Sequence, residues 1–189
     1  MVDDLPGRQS TRAGTGQSQR SAAVLVPVFR DAEGELRLVL VVRAAHGVHG
    51  GQLGLPGGTT EASDRSMLDT AVRETREEIG LAVADIEVLA ALDPMQTRTT
   101  GFQVYPFIAR IPPQTRWRPQ PGEIADVLAP AVGSLADPQH RHQRVLSFPS
   151  WPEPRTTDCV DVNGHLLWGF TLRLLDAVVP RLLASEWQI

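Results

Sequence analysis

The chain has 189 residues, a net charge of −4 and a 42% hydrophobic composition, which suits one globular domain with a tail. Its single cysteine, Cys159, excludes an internal disulfide and a cysteine-based zinc site and fits a cytoplasmic location. The net negative charge argues against a protein that coats nucleic acid. No apolar run reaches the roughly 18 residues of a membrane span. All 18 residues counted as Lys or Arg are arginine, so among these residues only an arginine guanidinium can bind a phosphate group.

Residues 1–20 are rich in Gly, Ser, Thr, Gln and Arg, a composition that predicts a disordered N-terminal tail. The domain is therefore expected over 21–189. Two apolar, β-branched runs at 22–29 and 36–42 flank a turn at 31–34 and predict a hairpin. A long glycine-rich loop follows over 44–58.

A helix is predicted from Ser66 to Ile79, with Gly80 as its C-cap. The rest of the chain predicts short strands and a closing helix, which together give a single α+β domain. The predicted segments are strands at 86–92 and 102–111, a loop with four prolines at 112–122, an undecided apolar run at 124–132, a short helix or turn near 134, strands at 145–148 and 159–162, a turn at 163–164 and a last helix at 168–184.

Three carboxylates share one patch of the predicted central helix. At 100° per residue, Glu74, Glu77 and Glu78 lie together, on the side away from the apolar stripe. Such a cluster suits a hard divalent cation such as Mg²⁺. The alternative is a solvated acidic face neutralised by Arg73 and Arg76. The stripe is Leu68, Ala71, Val72, Thr75 and Ile79.

Two glycines precede this helix and favour the metal interpretation. Glycine lets backbone approach a ligand closely, so the Gly58 carbonyl could complete a metal site with the glutamates. Residues 58–81 resemble the Nudix box, written G-x5-E-x7-R-E-U-x-E-E-x-G-U with U aliphatic. Three features depart from the box: Asp64 stands for its isolated Glu, the gap from Asp64 to Arg73 is one residue longer, and Thr75 replaces an aliphatic residue.

The resemblance implies the Nudix fold, an α/β/α sandwich with a mixed sheet, and metal-dependent hydrolysis of a nucleoside diphosphate derivative. It assigns Mg²⁺ or Mn²⁺ to Glu74, Glu77 and Glu78, assisted by the Gly58 carbonyl. Arg73 would orient Glu74 by an ion pair. The catalytic base would be one of these glutamates or Glu123, whose alternative is an ordinary loop charge.

A narrower resemblance is to the coenzyme A pyrophosphatase-like proteins, which have this longer box with Asp. Arg43, His46, Gly51 and Gln52, followed by 56–58, look like their upstream signature, although its middle arginine is missing and Leu55 replaces a Phe. The segment 97–102 and the pair 168–169 are also similar. The resemblance implies cleavage of coenzyme A to 3′,5′-ADP and 4′-phosphopantetheine.

Such a substrate brings a 3′-phosphate as well as the diphosphate. Arg43 and Arg98 are the candidates to bind phosphate, with Gly57, Gly58 and Phe102 as further substrate contacts. Other hypotheses remain: a Nudix hydrolase for ADP-ribose, a dinucleotide or an oxidised nucleotide; a module that senses a nucleotide without cleaving it; or an isomerase on this fold. A small-molecule nucleotide is the expected partner, and a homodimer is left open.

Overall fold

The computed structural model describes residues 20–45, 50–98, 100–113, 116–148 and 151–189. These residues form strands and three helices, with single 3₁₀ turns at Val83–Asp85 and Pro138–His140. In chain order the elements are β1 (Ser21–Arg30), β2 (Leu36–Leu38), β3 (Leu40–Arg43), β4 (Leu53–Gly54), β5 (Gly57–Thr59), α1 (Met67–Ile79), β6 (Glu87–Ala91), β7 (Met95–Gln96), β8 (Gln103–Arg110), β9 (Ile124–Leu128), α2 (Val132–Ala136), β10 (Arg141–Leu146), β11 (Arg155–Val162), β12 (His165–Trp168) and α3 (Gly169–Leu183).

The main sheet is mixed and has six strands, with the main path β2-β1-β8-β6. Strands β1 and β8 run parallel, so that Ala23 pairs with Tyr105. Strand β5 pairs antiparallel with β1, placing Gly58 opposite Ala23, and β7 pairs antiparallel with β8. Ala23 therefore has the glycine pair on one side and β8 on the other.

Two smaller sheets complete the described strands. One has the order β4-β3-β9 and the other has the order β10-β11-β12. In the second, Asn163 and Gly164 take positive φ values of 49° and 82° and connect β11 to β12. These are the left-handed conformations that a tight two-residue hairpin turn requires, so the predicted turn is confirmed.

Helices cover the main sheet on both faces. Ala23 and Leu25 of β1 pack in one apolar cluster with Ala71 of α1. Val26 and Val28, on the opposite face of β1, pack in a larger cluster with the leucines of α3. This alternation follows from the two-residue period of a strand. The α/β/α sandwich with a mixed sheet is confirmed.

The central helix begins and ends where the sequence predicts. The Ser66 side chain accepts a hydrogen bond from the Asp69 amide, which satisfies one of the free N–H groups of the first turn. Gly80 ends the helix with φ of 72°, and its amide donates to the Arg76 carbonyl. The box segment is thereby fixed as a rigid helix beneath the glycine pair.

Three predictions change in detail. The run 36–42 forms two strands in different sheets, because the chain leaves β1's edge after Leu38 and pairs with β9. The strands predicted at 145–148 and 159–162 start earlier, because their hairpin pairing extends outward through polar residues.

The predicted tail over 1–19 and the loop residues 46–49 lie outside the described part of the chain. Among the described residues, no helix has the length and apolar character needed to cross a membrane.

Candidate active site

The glycine pair forms a narrow edge of the main sheet that only small residues can occupy. Gly57 has φ of 149°, and a Cβ there would lie 2.7 Å from the Cα of Val24. A Cβ on Gly58 would lie 2.5 Å from the carboxyl carbon of Glu74. The absence of side chains at both positions lets this strand contact the glutamates of α1 directly.

Glu78 is buried, with 3% of its surface exposed, which corrects the prediction that it lies on the outer face of the helix. Its carboxylate accepts a hydrogen bond of 2.9 Å from the Gly57 amide. Burial is the main cause that raises the pKa of Glu78 to about 7, and the nearby Glu74 and Glu123 charges add to it. A carboxylate so poised can change protonation near neutral pH.

The polar burial extends along the helix. Thr70, Ala71, Thr75 and Ile79 are buried with Glu78. The predicted stripe is therefore right at 71, 75 and 79 but wrong at 68 and 72, which are only partly buried. Glu78 lies on the buried side of the helix because the Gly57 amide gives its carboxylate a hydrogen-bond partner inside the fold.

Glu74 lies against Gly58, and burial is the main cause that raises its pKa. The Arg73 guanidinium, 3.1 Å from the Glu74 carboxylate, lowers this pKa, whereas the Glu77 and Glu123 charges raise it. The ion pair that the sequence predicts between Arg73 and Glu74 is therefore present. Its role in catalysis stays a prediction.

Arg73 connects the helix to the loop after β5. It donates to Asp64 over 2.9 Å and to the Thr59 carbonyl over 3.0 Å. Its hydrogen bond holds the pKa of Asp64 well below the usual range for a carboxyl. Asp64 also accepts from the Thr70 hydroxyl. The sequence did not predict these contacts of Asp64.

Glu77, like Glu74, pairs with the Arg73 guanidinium. Its carboxylate lies 3.2 Å from Arg73 and 3.7 Å from Arg76. Within the described ranges, no three His, Cys, Asp or Glu side chains are gathered closely enough to hold a metal ion. The metal site expected of Glu74, Glu77 and Glu78 therefore stays a prediction, and each of these carboxylates has an N–H partner within the fold.

Glu123 faces the same site from another segment. Its charge contributes to the raised pKa of both Glu74 and Glu78. The Gln120 amide donates to the Glu78 carbonyl over 2.9 Å, and the Ala44 amide donates to the Glu123 carbonyl over 2.7 Å. These bonds hold the segment 120–123 against the end of α1, and the effect of the Glu123 charge on both pKa values indicates that Glu123 lies near the two helix glutamates.

These groups suit a hard divalent cation. Every predicted donor is a carboxylate or carbonyl oxygen, the ligand type that Mg²⁺ and Mn²⁺ prefer. The Glu123 charge raises the pKa of Glu74 and of Glu78, the Glu74 charge also raises that of Glu78, and a divalent cation would relieve this repulsion. The missing Cβ at Gly58 leaves the Glu74 carboxylate in contact with backbone. The donor chemistry fits a divalent cation that the helix glutamates, Glu123 and the Gly58 carbonyl would share.

Arg43 reaches this site from the last position of β3. The β3–β9 register shifts between Val42 and Arg43, which marks an irregularity that can re-aim a side chain. Its guanidinium lies 3.8 Å from the Glu78 carboxylate and 3.5 Å from the Gly57 carbonyl. Its backbone pairs with Gly51 and Gln52. Arg43 therefore joins the glutamate site to the glycine-rich loop.

A cavity of about 270 Å³ opens beside that loop. Gly51 and Gln52 form one wall, and Phe148 and Trp168, stacked at 5.0 Å, form another. Arg98 and Phe102, the remaining predicted substrate contacts, lie instead in the turn between β7 and β8, where Arg20 stacks 4.5 Å above the Phe102 ring. The predicted residues thus form two groups, one on each side of β1.

The NUDIX domain family model matches residues 19–147. A Nudix hydrolase named NudL from Pectobacterium atrosepticum is 32% identical over 166 residues, which cover 83% of this chain and 80% of that protein. NudL from Salmonella paratyphi B is 40% identical over 111 residues, 58% of this chain and 56% of that protein.

Solved structures share the fold. The NUDIX domain of Shewanella oneidensis NrtR, solved with ADP ribose, has a TM-score of 0.56 at 19% identity, covering 88% of this chain and 90% of that one. RenU, a Nudix hydrolase from M. smegmatis, has a TM-score of 0.53 at 23% identity, covering 63% of this chain and 74% of that one. With the family match over most of the sequence, the chain belongs to the Nudix family and is a Nudix hydrolase that acts on nucleoside diphosphate derivatives.

Proposed function

We propose that this hydrolase cleaves the diphosphate bond of coenzyme A or its derivatives and releases 3′,5′-ADP and 4′-phosphopantetheine. The observation that carries the proposal is the position of Arg43 between the buried Glu78 and the glycine-rich loop. This loop carries the signature that resembles the coenzyme A subgroup. A substrate whose diphosphate lies at Glu78 would therefore extend past the subgroup-specific residues.

Mg²⁺ or Mn²⁺ bound here would offset diphosphate charge and lower the pKa of a water. Glu74, Glu77 and Glu78 would hold the ion, assisted by the Gly58 carbonyl. Arg73 would keep Glu74 in place through the ion pair at 3.1 Å. These roles use each side chain in the position that it already occupies, except Glu77, which must leave its arginine partners.

Glu123 is proposed as a general base or an added ligand. Its influence on the pKa of Glu74 and Glu78 supports a position within reach of both. Arg43 is proposed to bind the diphosphate, since an arginine fork matches phosphate oxygens. The small surface of Gly57 would let the diphosphate approach the strand closely.

The cavity beside Gly51 and Gln52 supports a substrate larger than a diphosphate. Its volume of about 270 Å³ lies just below the roughly 300–1,000 Å³ of sites that enclose a drug-sized ligand. It would therefore take one moiety of the substrate. The alternative substrates remain ADP-ribose, a dinucleotide or an oxidised nucleotide. The sensing module is disfavoured because the buried, charge-coupled glutamates serve no purpose in simple binding.

The test is to incubate the purified protein with coenzyme A, ADP-ribose or NADH in separate reactions and to separate the products by chromatography. Each reaction is run with Mg²⁺, with Mn²⁺ and with a chelator. We expect metal-dependent release of 3′,5′-ADP from coenzyme A at a higher kcat/KM than for the other two. Cleavage of ADP-ribose or NADH alone would contradict the coenzyme A assignment while leaving the hydrolase in place.

A further inference from the structure

Three arginines surround the turn that joins β7 to β8. The Arg20 guanidinium donates to the Thr100 carbonyl over 3.1 Å and stacks on Phe102. Arg173 of α3 donates to the Gln96 carbonyl and lies 5.6 Å from the centre of the Phe170 ring. Arg98 belongs to the turn itself and is exposed.

Hydrogen bonds join the two ends of this turn. The Thr97 hydroxyl accepts from the Phe102 amide over 2.8 Å, and it lies 2.7 Å from the Thr100 hydroxyl. The Thr97 amide donates to the Phe102 carbonyl over 2.9 Å. Arg98 belongs to the segment whose ends these bonds join, and Arg20 and Arg173 bind carbonyls of Thr100 and Gln96 on either side of it.

The three positive charges have no carboxylate to balance them. Throughout the described ranges, Arg20, Arg98 and Arg173 take no part in an ion pair. Other arginines in the described ranges do form ion pairs, as Arg37 does with Asp31 and Arg181 with Glu186. Burial lowers the pKa of Arg173, and the charge of Arg98 lowers it further, which places the two cations near each other.

The position of this turn relates it to the candidate active site. Ala22 of β1 pairs with Thr59 on one side and with Val104 on the other. Adjacent strands lie about 4.8 Å apart, so the turn before β8 is roughly 10–15 Å from the glycine edge. An extended nucleotide can span that distance while its diphosphate stays at the glutamates.

We propose that Arg20, Arg98 and Arg173 form a binding site for a phosphate group of the substrate other than the two phosphates that are separated. In coenzyme A this group is the 3′-phosphate of the ribose. The inference rests on the proposed function for the identity of the molecule that carries the phosphate. It adds Arg20 and Arg173 to Arg98 and separates this site from Arg43, which lies across β1.

The test uses two ligands that differ by one phosphate. The affinities of 3′,5′-ADP and AMP are measured by calorimetry for the wild type and for the variants Arg98→Gln, Arg173→Gln and Arg110→Gln. Arg110 serves as the control because it pairs with Glu87 elsewhere on the surface. The exposed Arg98 keeps the test valid should Arg173→Gln disturb the turn.

We expect the wild type to bind 3′,5′-ADP about tenfold more tightly than AMP, the size of a charge-assisted hydrogen bond. Arg98→Gln and Arg173→Gln should each remove most of that preference, and Arg110→Gln should keep it. Equal affinities in the wild type, or a preference unchanged in both site variants, would overturn the proposal. An arginine-dependent preference in a protein that does not hydrolyse coenzyme A would support the phosphate site and reject only the proposed substrate.

Discussion

Helices α1 and α3 cover opposite faces of one sheet, and only α1 buries polar or charged side chains besides apolar ones. The polar or charged groups that α1 buries are Thr70, Thr75 and Glu78. The six residues that α3 buries are all apolar, namely Leu172, Leu174, Leu175, Val178, Val179 and Leu182. The difference indicates that the α3 face contributes most of the stability. Burying polar groups on the α1 face is unfavourable for folding, but it places charge beside Gly57 and Gly58.

The largest expected effect is on stability at the α3 face. Leu175→Ala should lower the free energy of unfolding by about 2–5 kcal/mol, because a fully buried leucine leaves a cavity. Leu183→Ala, at an exposed position of the same helix, should have little effect. Urea unfolding measures both variants. A small loss of stability for Leu175→Ala, or a loss of kcat in the remaining folded protein, would contradict the separation of stability on the α3 face from activity on the α1 face.

The next effect is on activity at the α1 face. Gly58→Ala should lower kcat/KM about 100-fold while leaving the fold intact, because the added Cβ must displace the Glu74 carboxylate. Gly133→Ala is the matched control, since a Cβ there meets nothing within 4 Å. Steady-state kinetics on the preferred substrate compares the two. Equal activity in both variants would show that the contact between Gly58 and Glu74 is not needed.

A smaller effect on activity is expected when the hydrogen bonds between Arg73 and Asp64 are weakened. Asp64→Asn should lower kcat about tenfold, because Arg73 would hold Glu74 less firmly. Asp31→Asn breaks a comparable pair with Arg37 far from the site and should leave kcat unchanged. The melting temperature at pH 7 should fall in both variants, since each pairing holds the carboxyl pKa below its usual range. A similar kcat for the two would contradict a positioning role for Asp64.

A further effect, on the α1 face alone, is a pH dependence of stability. The pKa of Glu78 is about 7 in the fold, against 4.5 for an unperturbed glutamate, so the folded chain binds more protons between those values. The wild type should therefore lose stability relative to Glu78→Gln as pH rises from about 4.5 to 7, and the difference should be constant outside that window. Urea unfolding across this range measures it, and a constant difference throughout would contradict the burial of the charge.

Much of the fold could be predicted from the sequence because it follows local rules. The cap at Ser66, the left-handed Gly80 and the turn at 163–164 are each set by residues that lie close together in the chain. The split at Leu38 could not be predicted, because it depends on pairing with β9, which lies far along the sequence. The sequence pattern alone predicts which segments form strands but not which sheet each strand joins.

The site shows the same limit. Helical spacing placed Glu74, Glu77 and Glu78 together, but it could not place Glu78 inside, since that depends on the Gly57 amide. The pairing of Asp64 with Arg73 spans nine positions and a loop, so no periodic rule applies to it. The three arginines around the 97–102 turn come from β1's start, the turn and α3, and only the fold brings them together.

The most direct test of the central claim is the initial rate of 3′,5′-ADP formation from coenzyme A by the wild type, Glu78→Gln and Glu33→Gln at saturating Mg²⁺ or Mn²⁺. Glu33 is an exposed turn residue and serves as the matched control. The account predicts a rate at least about 100-fold lower for Glu78→Gln and an unchanged rate for Glu33→Gln. Equal rates for the wild type and Glu78→Gln would contradict the assignment of catalysis to the glutamates at the glycine edge.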